Sequence, residues 1–354
     1  MGEQSAARRG VLVDSPTEER NPRTLDLDTV ATLDLLTLIN GEDQRVPLAV
    51  AAVLPQLALL VDAATERVRA GGTVHYVGAG TSGRLGVIDA AELLPTFNLD
   101  PGVVVAHHAG GKAALVCAAE NVEDDAEAGA AALGEVTARD VVIGITASGR
   151  TPYVAGALRS ARAAGALTAL VSSNPRAVLA AAVDIAVVVD TGPEALAGST
   201  RMKSATAQKV VLHTFSTALM VRLGRTWSNL MVSMVVTNAK LQARTVTILS
   251  QATGEPRPVC EGVLQGAGGD LKVALVMMLA GLDADAAHSA LAGAEGAVRA
   301  AVATALTSAD TDTRAVHALT APAAAGAARS PAAPETTQPD PTDGRNASCT
   351  ARGI

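Results

Sequence analysis

The segment Val74–Phe97, VHYVGAGTSGRLGVIDAAELLPTF, combines an apolar run, a glycine-rich turn and a helical pattern, in that order. The run Val74–Val77 predicts a buried strand, and the pattern Arg84–Leu94 predicts a helix that Pro95 ends. Glycine lets backbone N–H groups approach a ligand, and the N-terminus of a helix attracts anions. The turn therefore predicts a cradle for an anion such as phosphate. Its donors are expected to be Gly80, Thr81, Ser82 and Gly83.

The same turn also matches GxGxxG, the glycine pattern of dinucleotide-binding loops. Such sites hold the ribose with an acidic residue at the end of the following strand. Here the next predicted strand, Val103–Ala106, is followed by His107 and His108, and Asp100 comes before it. A hydroxyl-rich phosphate loop is therefore favoured over a dinucleotide site, and no cofactor is expected.

The overall composition limits the function classes open to the chain. With 49% hydrophobic and 1% aromatic residues among 354, the chain can bury a large core of Ala, Val, Leu and Ile. The net charge of −7 and the lack of a basic segment with interleaved aromatics argue against nucleic acid as a partner. Because no apolar run could cross a bilayer and no signal peptide is evident, we expect no membrane association and a cytoplasmic location. The cysteines lack metal-ligand spacing and are expected to be free thiols.

Four further apolar, β-branched runs predict strands that are buried on both faces. They are Val103–Ala106, Val141–Ile145, Leu167–Val171 and Ile185–Val189. Helical patterns separate them, and this alternation is typical of an α/β fold with a doubly wound, five-stranded parallel sheet. The carboxyl ends of the strands then lie along one edge of the sheet, where ligands bind in such folds.

Helical periodicity outlines the rest of the chain. Helices near the sheet are expected at Leu25–Ile39, Val46–Arg69, Lys112–Asn121 continuing to Leu133, Pro152–Ala164, Arg176–Ala182 and Thr200–Leu223. Annex helices are expected at Trp227–Leu249, Pro256–Leu264, Leu271–Leu279, Asp283–Leu291 and Glu295–Ala303. The predicted organisation is a flexible segment and helix over 1–50, a sheet domain over 51–225, a helical annex over 226–305 and a disordered tail over 306–354.

Hydroxyl-bearing turns follow four of the predicted strands. They are residues 81–84 (TSGR), 147–151 (ASGRT), 172–174 (SSN) and 198–200 (GST). One such turn is commonplace, but four at one edge of a sheet indicate a site for a phosphorylated ligand. Beyond the first turn, the residues expected to contact it are Ser148, Gly149, Arg150, Thr151, Ser199 and Thr200. Lys203 follows the last turn and could either reach a sugar phosphate or lie on a solvated face.

Two glutamates are candidates for proton transfer. Glu92 lies on the helix that leaves the first turn, three residues after Asp89 and on the same predicted face. Glu123 lies in an acidic stretch after the second strand. Each also has an ordinary structural interpretation, Glu92 as an exposed partner of an arginine and Glu123 as part of an acidic helix start. The histidines show no metal-ligand spacing, so no metal is expected, and Ser148 lacks the GxSxG context of a hydrolase nucleophile.

Long stretches of the chain resemble one family of enzymes. The segments are 76–97 (YVGAGTSGRLGVIDAAELLPTF), 144–158 (GITASGRTPYVAGAL), 192–209 (GPEALAGSTRMKSATAQK) and 229–241 (NLMVSMVVTNAKL). They are similar to the N-acetylmuramic acid 6-phosphate etherases, which have the sugar isomerase (SIS) fold. The resemblance extends from about Thr17 to Ala303. It implies cleavage of the lactyl ether of N-acetylmuramate 6-phosphate to N-acetylglucosamine 6-phosphate and D-lactate, in cell-wall sugar recycling.

The resemblance also implies roles for particular residues. The proton donor of the family falls on Glu92, and its second catalytic glutamate falls on Glu123. A homodimer that uses no metal is implied as well. The chain departs from the family pattern at Leu93-Leu94, Asn121-Val122, Ser204-Ala205, Ser233 and Ala239, and none of these changes removes a proposed catalytic group.

Two other functions remain compatible with the same loops. One is a non-catalytic regulator of SIS fold that binds a sugar phosphate and would not need both Glu92 and Glu123. The other is an aldose–ketose sugar-phosphate isomerase. It would also remove the proton on C2 but would release no lactate.

Overall fold

Five parallel strands form one sheet in the computed structural model, which describes residues 14–117, 119–234 and 239–308. They are β1 (Val74–Gly78), β2 (Val104–His108), β3 (Val141–Ile145), β4 (Leu167–Ser172) and β5 (Ile185–Val188), in the spatial order β2-β1-β3-β4-β5. The predicted α/β fold with a five-stranded parallel sheet is confirmed. His107 and His108, which were expected after the second strand, are its last two residues.

Helices cover both faces of the sheet. They are α1 (Thr32–Asp43), α2 (Val46–Ala51), α3 (Leu54–Arg69), α4 (Gly80–Phe97), α5 (Ala113–Val116), α6 (Ala126–Ala132), α7 (Pro152–Ala163) and α8 (Lys203–Arg222). Side chains alternate along each strand, so Val74 and Tyr76 of β1 enter one core and Val77 enters another on the opposite face. Helices α2, α3, α4 and α8 pack into the first core, and α6 and α7 border the second. This is the doubly wound arrangement that the sequence predicts.

The helices before the sheet differ from the prediction at their ends. α1 begins at Thr32 rather than Leu25, and it continues through the predicted terminator Asn40-Gly41 to Asp43. The predicted helix Val46–Arg69 is divided in two by a turn at residues 52–53. Pro55 lies in the first turn of α3, where a missing N–H costs no helical hydrogen bond.

α4 is longer than predicted in both directions. It begins at Gly80, four residues before Arg84, and passes through Pro95 to Phe97. Pro95 has no N–H to donate to the carbonyl of Ala91, yet the helix continues for two residues beyond it. Asn98 ends it instead, because its left-handed backbone (φ 50°) lets its N–H donate to the carbonyl of Leu94.

The predicted long helix between β2 and β3 is replaced by α5, a 3₁₀ turn at Val122–Asp124 and α6. Asn121, inside the predicted helix, has a left-handed backbone (φ 65°) that interrupts it. A 3₁₀ turn at Val178–Ala182 likewise stands where a helix was predicted.

The annex begins with a short hairpin of β6 (Thr226–Trp227) and β7 (Leu230–Met231), where a helix was predicted. Its helices are α9 (Ala239–Thr253), α10 (Arg257–Gly266), α11 (Leu271–Ala280), α12 (Ala284–Gly293) and α13 (Val298–Ser308). Residues 273–276 of α11 are buried among the others. Residues 306–308, predicted to begin the tail, are helical, and 309–354 lie outside the described residues. Within the described residues, no single helix is long and apolar enough to cross a membrane.

Candidate active site

The first predicted loop lies between β1 and α4, at the carboxyl edge of the sheet. The backbones of Gly78 and Gly83 approach so closely that a Cβ on either one would collide with the other. Gly80 starts the helix with a left-handed backbone (φ 54°). Thr81 and Ser82 lie in the first turn of α4, where backbone N–H groups lack acceptors within the helix. These are the features of an anion cradle.

The second loop follows β3 and gathers three hydroxyl groups. The Oγ1 atom of Thr146 lies 2.7 Å from Oγ1 of Thr151 and 3.4 Å from Oγ of Ser148. Asn174, which follows β4, donates from Nδ2 to the carbonyl of Ser148 at 2.9 Å. Gly149 packs against this neighbouring turn with a left-handed backbone (φ 69°). Sequence reasoning missed Thr146, although it directly follows the third predicted strand, and identified Asn174 only as part of the turn at residues 172–174.

The third loop connects β5 to α8 and holds Ser199 and Thr200, both half-buried. The N-terminus of α8 is already occupied by a protein carboxylate. Glu194, which is fully buried, accepts hydrogen bonds from the backbone N–H groups of Lys203 and Ser204 at 2.8 and 2.9 Å. Side-chain hydroxyls rather than the dipole of α8 are therefore what this loop offers to a ligand.

Lys203 lies in a buried ion pair rather than facing the loops. Its side chain is 0% exposed, and its Nζ donates to Oε2 of Glu42 at 2.7 Å. Arg23 also donates to both oxygens of Glu42. These partners, with the Arg23 hydrogen bond as the largest cause, lower the pKa of Glu42 to about 2. The cluster joins the N-terminal segment, α1 and α8.

The segment of residues 14–24, which was expected to be flexible, packs over the carboxyl edge of the sheet. The carbonyl of Thr17 accepts from the N–H of Gly198 at 2.8 Å. Asn21 and Thr24 donate to the carbonyls of Pro193 and Ala195 at 3.2 and 2.8 Å. The segment thus forms one wall of the third loop, which sequence reasoning did not identify.

The two candidate glutamates lie on segments that pack against opposite faces of the sheet. Glu92 is exposed on α4, which packs into the first core. Twelve residues separate it from Gly80, so it stands about 18 Å along the helix from the first loop. Glu123 is exposed in the 3₁₀ turn after β2, and the adjacent Val122 packs against the second core. The length of α4 therefore places Glu92 away from the carboxyl edge of the sheet.

Asp89 faces inward although it lies one turn before the exposed Glu92. It is 4% exposed and accepts from the hydroxyls of Tyr76 and Ser216 at 2.8 and 2.9 Å. Nε2 of His213 lies 3.9 Å from the same carboxylate. Burial raises the pKa of Asp89 above its ordinary value despite these partners. Asp89 therefore joins α4 to β1 and α8.

His75 and His107 form a pair in the sheet, in which His75 is buried and His107 is half-buried. Nδ1 of His75 lies 2.9 Å from Nε2 of His107, and their rings are stacked. Burial lowers the pKa of His75 to about 4 and lowers that of His107 as well. Within the described residues, no group of three or more His, Cys, Asp or Glu side chains is arranged to hold a metal ion.

Comparison with known proteins identifies families and structures to which this chain is similar. A model described as the SIS domain matches residues 118–218, and one described as the glucokinase regulatory protein N-terminal SIS domain matches 56–162. The N-acetylmuramic acid 6-phosphate etherase of Thermobifida fusca is 57% identical over 268 residues, 76% of this chain and 88% of the relative. That of Cronobacter sakazakii is 50% identical over 288 residues, 81% of this chain and 97% of the relative. A phosphoheptose isomerase structure from Francisella tularensis has a TM-score of 0.43 and 20% identity, covering 54% of this chain and 100% of that one.

The fold and these matches define a SIS-domain enzyme of the carbon–oxygen lyase class. Identity of 50–57% extends over most of both chains. The chain belongs to the N-acetylmuramic acid 6-phosphate etherase family, as its sequence motifs indicated.

Proposed function

We propose that the chain cleaves the D-lactyl ether of N-acetylmuramate 6-phosphate and releases N-acetylglucosamine 6-phosphate and D-lactate. The observation that carries the proposal is the 57% identity to an etherase of that name, in a chain whose sheet edge collects hydroxyl-bearing loops. The reaction belongs to amino-sugar and cell-wall recycling, for which we propose a cytoplasmic setting.

The chemistry requires one base and one acid. Opening of the sugar exposes an aldehyde that acidifies the hydrogen on C2. Glu123 removes this proton, and Glu92 protonates the ether oxygen on C3 as the C–O bond breaks. Water then adds to the unsaturated intermediate and restores a hydroxyl on C3. Protons and electron pairs balance within this sequence without a redox partner.

The 6-phosphate is the part of the substrate that the loops hold. We assign it to the hydroxyls of Ser82 and Ser148 and to the Ser199-Thr200 turn. Thr151 supports the Ser148 loop through the hydrogen bond between its hydroxyl and that of Thr146. The left-handed backbone of Gly149 shapes the same loop. Binding energy from this remote group can then be used to orient the reacting atoms. Lys203 acts through the loop it anchors, since its Nζ pairs with Glu42.

A second copy of the chain would bring the two glutamates together. Within one chain Glu92 stands about 18 Å along α4 from the first loop, further than a sugar ring reaches. Its neighbours Ile88 and Leu94 are 53% and 46% exposed, an apolar surface that a partner could cover. Exposed leucines continue on α1–α3, and they are Leu33, Leu36, Leu48, Leu54 and Leu59. We therefore propose a homodimer in which Glu92 of one copy completes the site of the other.

Lactate release from N-acetylmuramate 6-phosphate tests the function directly. The wild-type chain should release lactate in a coupled assay. Glu92→Gln keeps the shape of the side chain, removes its acid function and should lower the rate roughly a hundredfold or more. Glu66→Gln, at another exposed glutamate on α3, is the matched control and should retain the rate.

Deuterium uptake separates the roles of the two glutamates. In deuterated water, substrate incubated with Glu92→Gln should still exchange the hydrogen on C2, whereas Glu123→Gln should lose this exchange. Exchange that persists in Glu123→Gln would remove the base assignment. A wild-type chain that exchanges C2 without lactate release would instead be an isomerase. One that binds the sugar phosphate without either reaction would be a regulator.

A further inference from the structure

Arg84 connects the first loop to the segment that leads to Glu123. It lies in the second turn of α4, next to Gly83, and is half-buried. Its Nη2 donates to the carbonyl of Ala114 at 2.7 Å, and its Nε donates to that of Leu115 at 2.9 Å. Both carbonyls belong to the four-residue helix α5, which is too short to satisfy them internally. One guanidinium therefore holds the end of α5.

α5 and the turn that carries Glu123 lie against the same glycine, Gly110. A Cβ placed on Gly110 would lie 2.8 Å from Cβ of Ala114 and 3.4 Å from both γ-carbons of Val122. Ala114 and Val122 therefore lie against the same glycine. Because Glu123 follows Val122 directly, a shift of α5 would be transmitted to the turn at residues 122–124.

The start of this segment is also joined to the first loop. The N–H of Ala109 donates to the carbonyl of Gly78 at 3.1 Å. Nε2 of His108 lies 3.2 Å from the carbonyl of Gly80. The first loop is therefore linked to the residues after β2 at two points. His108 and Ala109 link it to the end of β2, and Arg84 links α4 to α5.

We infer that Arg84 is a positioning residue that fixes the base Glu123 relative to the phosphate loop. The inference rests on the proposed function and deepens it. Arg84 directs two of its donors to protein carbonyls, so its effect on the reaction passes through the backbone of α5. A guanidinium that bound the phosphate itself would act on substrate affinity instead.

Arg84→Met keeps the aliphatic stem and removes both hydrogen bonds. It should lower kcat for lactate release roughly tenfold to a hundredfold, as expected for a displaced catalytic group, and change KM much less. The same fold-change should appear with unphosphorylated N-acetylmuramate. Arg84→Lys, which can still donate to one carbonyl, should recover part of the rate.

Arg162→Met is the matched control. Arg162 also donates to a backbone carbonyl, that of Ala182 at 2.9 Å, but this carbonyl precedes β5 and so lies at the opposite edge of the sheet. Its variant should keep both kinetic constants. Loss confined to the phosphorylated substrate, or a rise in KM alone, would make Arg84 a phosphate ligand and overturn the inference. Unchanged kinetics in Arg84→Met would overturn it as well.

Amide hydrogen exchange provides a readout that does not depend on activity. Arg84→Met should speed exchange in peptides covering residues 110–117 and 119–125, whereas Glu123→Gln and Arg162→Met should not. Unchanged exchange in these peptides would contradict the proposed role of Arg84 in holding α5. If the wild-type chain released no lactate, the proposed function would fail on that result, and the exchange data alone would decide whether Arg84 holds the turn of Glu123.

Discussion

The hydroxyl of Ser148 is a single-atom test of the phosphate site. It lies among the hydroxyls of Thr146 and Thr151 at the carboxyl end of β3. A hydrogen bond to a charged group contributes about 1.5–3 kcal/mol, so Ser148→Ala should lower kcat/KM for the phosphorylated sugar roughly tenfold or more. Unphosphorylated N-acetylmuramate should be affected little. Ser160→Ala, on the helix α7 that follows this loop, is the control. Equal losses with both substrates in Ser148→Ala would show that Ser148 does not contact the phosphate.

Tyr76 has a role in stability that can be tested by a single substitution. Its hydroxyl donates a hydrogen bond to the buried carboxylate of Asp89. Tyr76→Phe leaves that carboxylate with one donor fewer, and it should lower the free energy of unfolding by about 1–3 kcal/mol in urea titrations. Tyr153→Phe is the control. Tyr153 is also buried, and burial raises its pKa, but it packs in the second core, on the opposite face of the sheet from Tyr76. Similar losses in both variants would mean that the contact with Asp89 contributes little.

Among elements, the contact between α1 and α8 depends on one carboxylate. Glu42 near the end of α1 pairs with Lys203 at the start of α8 and with Arg23 before α1. The folded-state pKa of Glu42 is lowered from 4.5 to about 2. Its contribution to stability is therefore fully present above the unfolded pKa and is lost as the pH falls through the folded one.

Glu42→Gln should consequently destabilise the protein at neutral pH, where Lys203 would be left buried with a neutral partner. The difference in unfolding free energy between wild type and variant should stay constant above about pH 5 and shrink as the pH falls from 4.5 towards about 2. Urea titrations at several pH values measure this. Asp62→Asn is the control, because Asp62 pairs with Arg222 at an exposed position, with side chains 60% and 63% exposed. A pH-independent difference would refute the ion pair as its cause.

For the whole molecule, the decisive prediction concerns mixed dimers. Glu92→Gln and Glu123→Gln should each be inactive alone. If each site takes its two glutamates from different copies, a mixed dimer contains one intact site, and an equal mixture after subunit exchange should recover about a quarter of the wild-type activity. If both glutamates come from one copy, the mixture should stay inactive. A monomer mass in solution scattering at micromolar concentration would contradict the dimer itself.

The sequence by itself determined the sheet, because buried strands and glycine turns are local signals. The runs beginning at Val74 and Val141 are short and largely apolar, as is typical of strands in a sheet covered on both faces. The hydroxyl turns after those strands were also visible, since parallel strands with right-handed crossovers bring their carboxyl ends to one edge. The family motifs then indicated a lyase reaction and made Glu92 and Glu123 the candidate catalytic residues.

Only the tertiary structure decided which polar side chains reach the open edge. Lys203 looked equally able to bind substrate or face solvent, yet α8 buries it against Glu42, 161 residues away in sequence. Asp89 and Glu92 share a helix, but packing against β1 turns one inward and leaves the other exposed. Helical periodicity does not predict such long-range partners, nor the distance along α4 between Glu92 and the first loop. Those depend on how the layers pack, which no local pattern encodes.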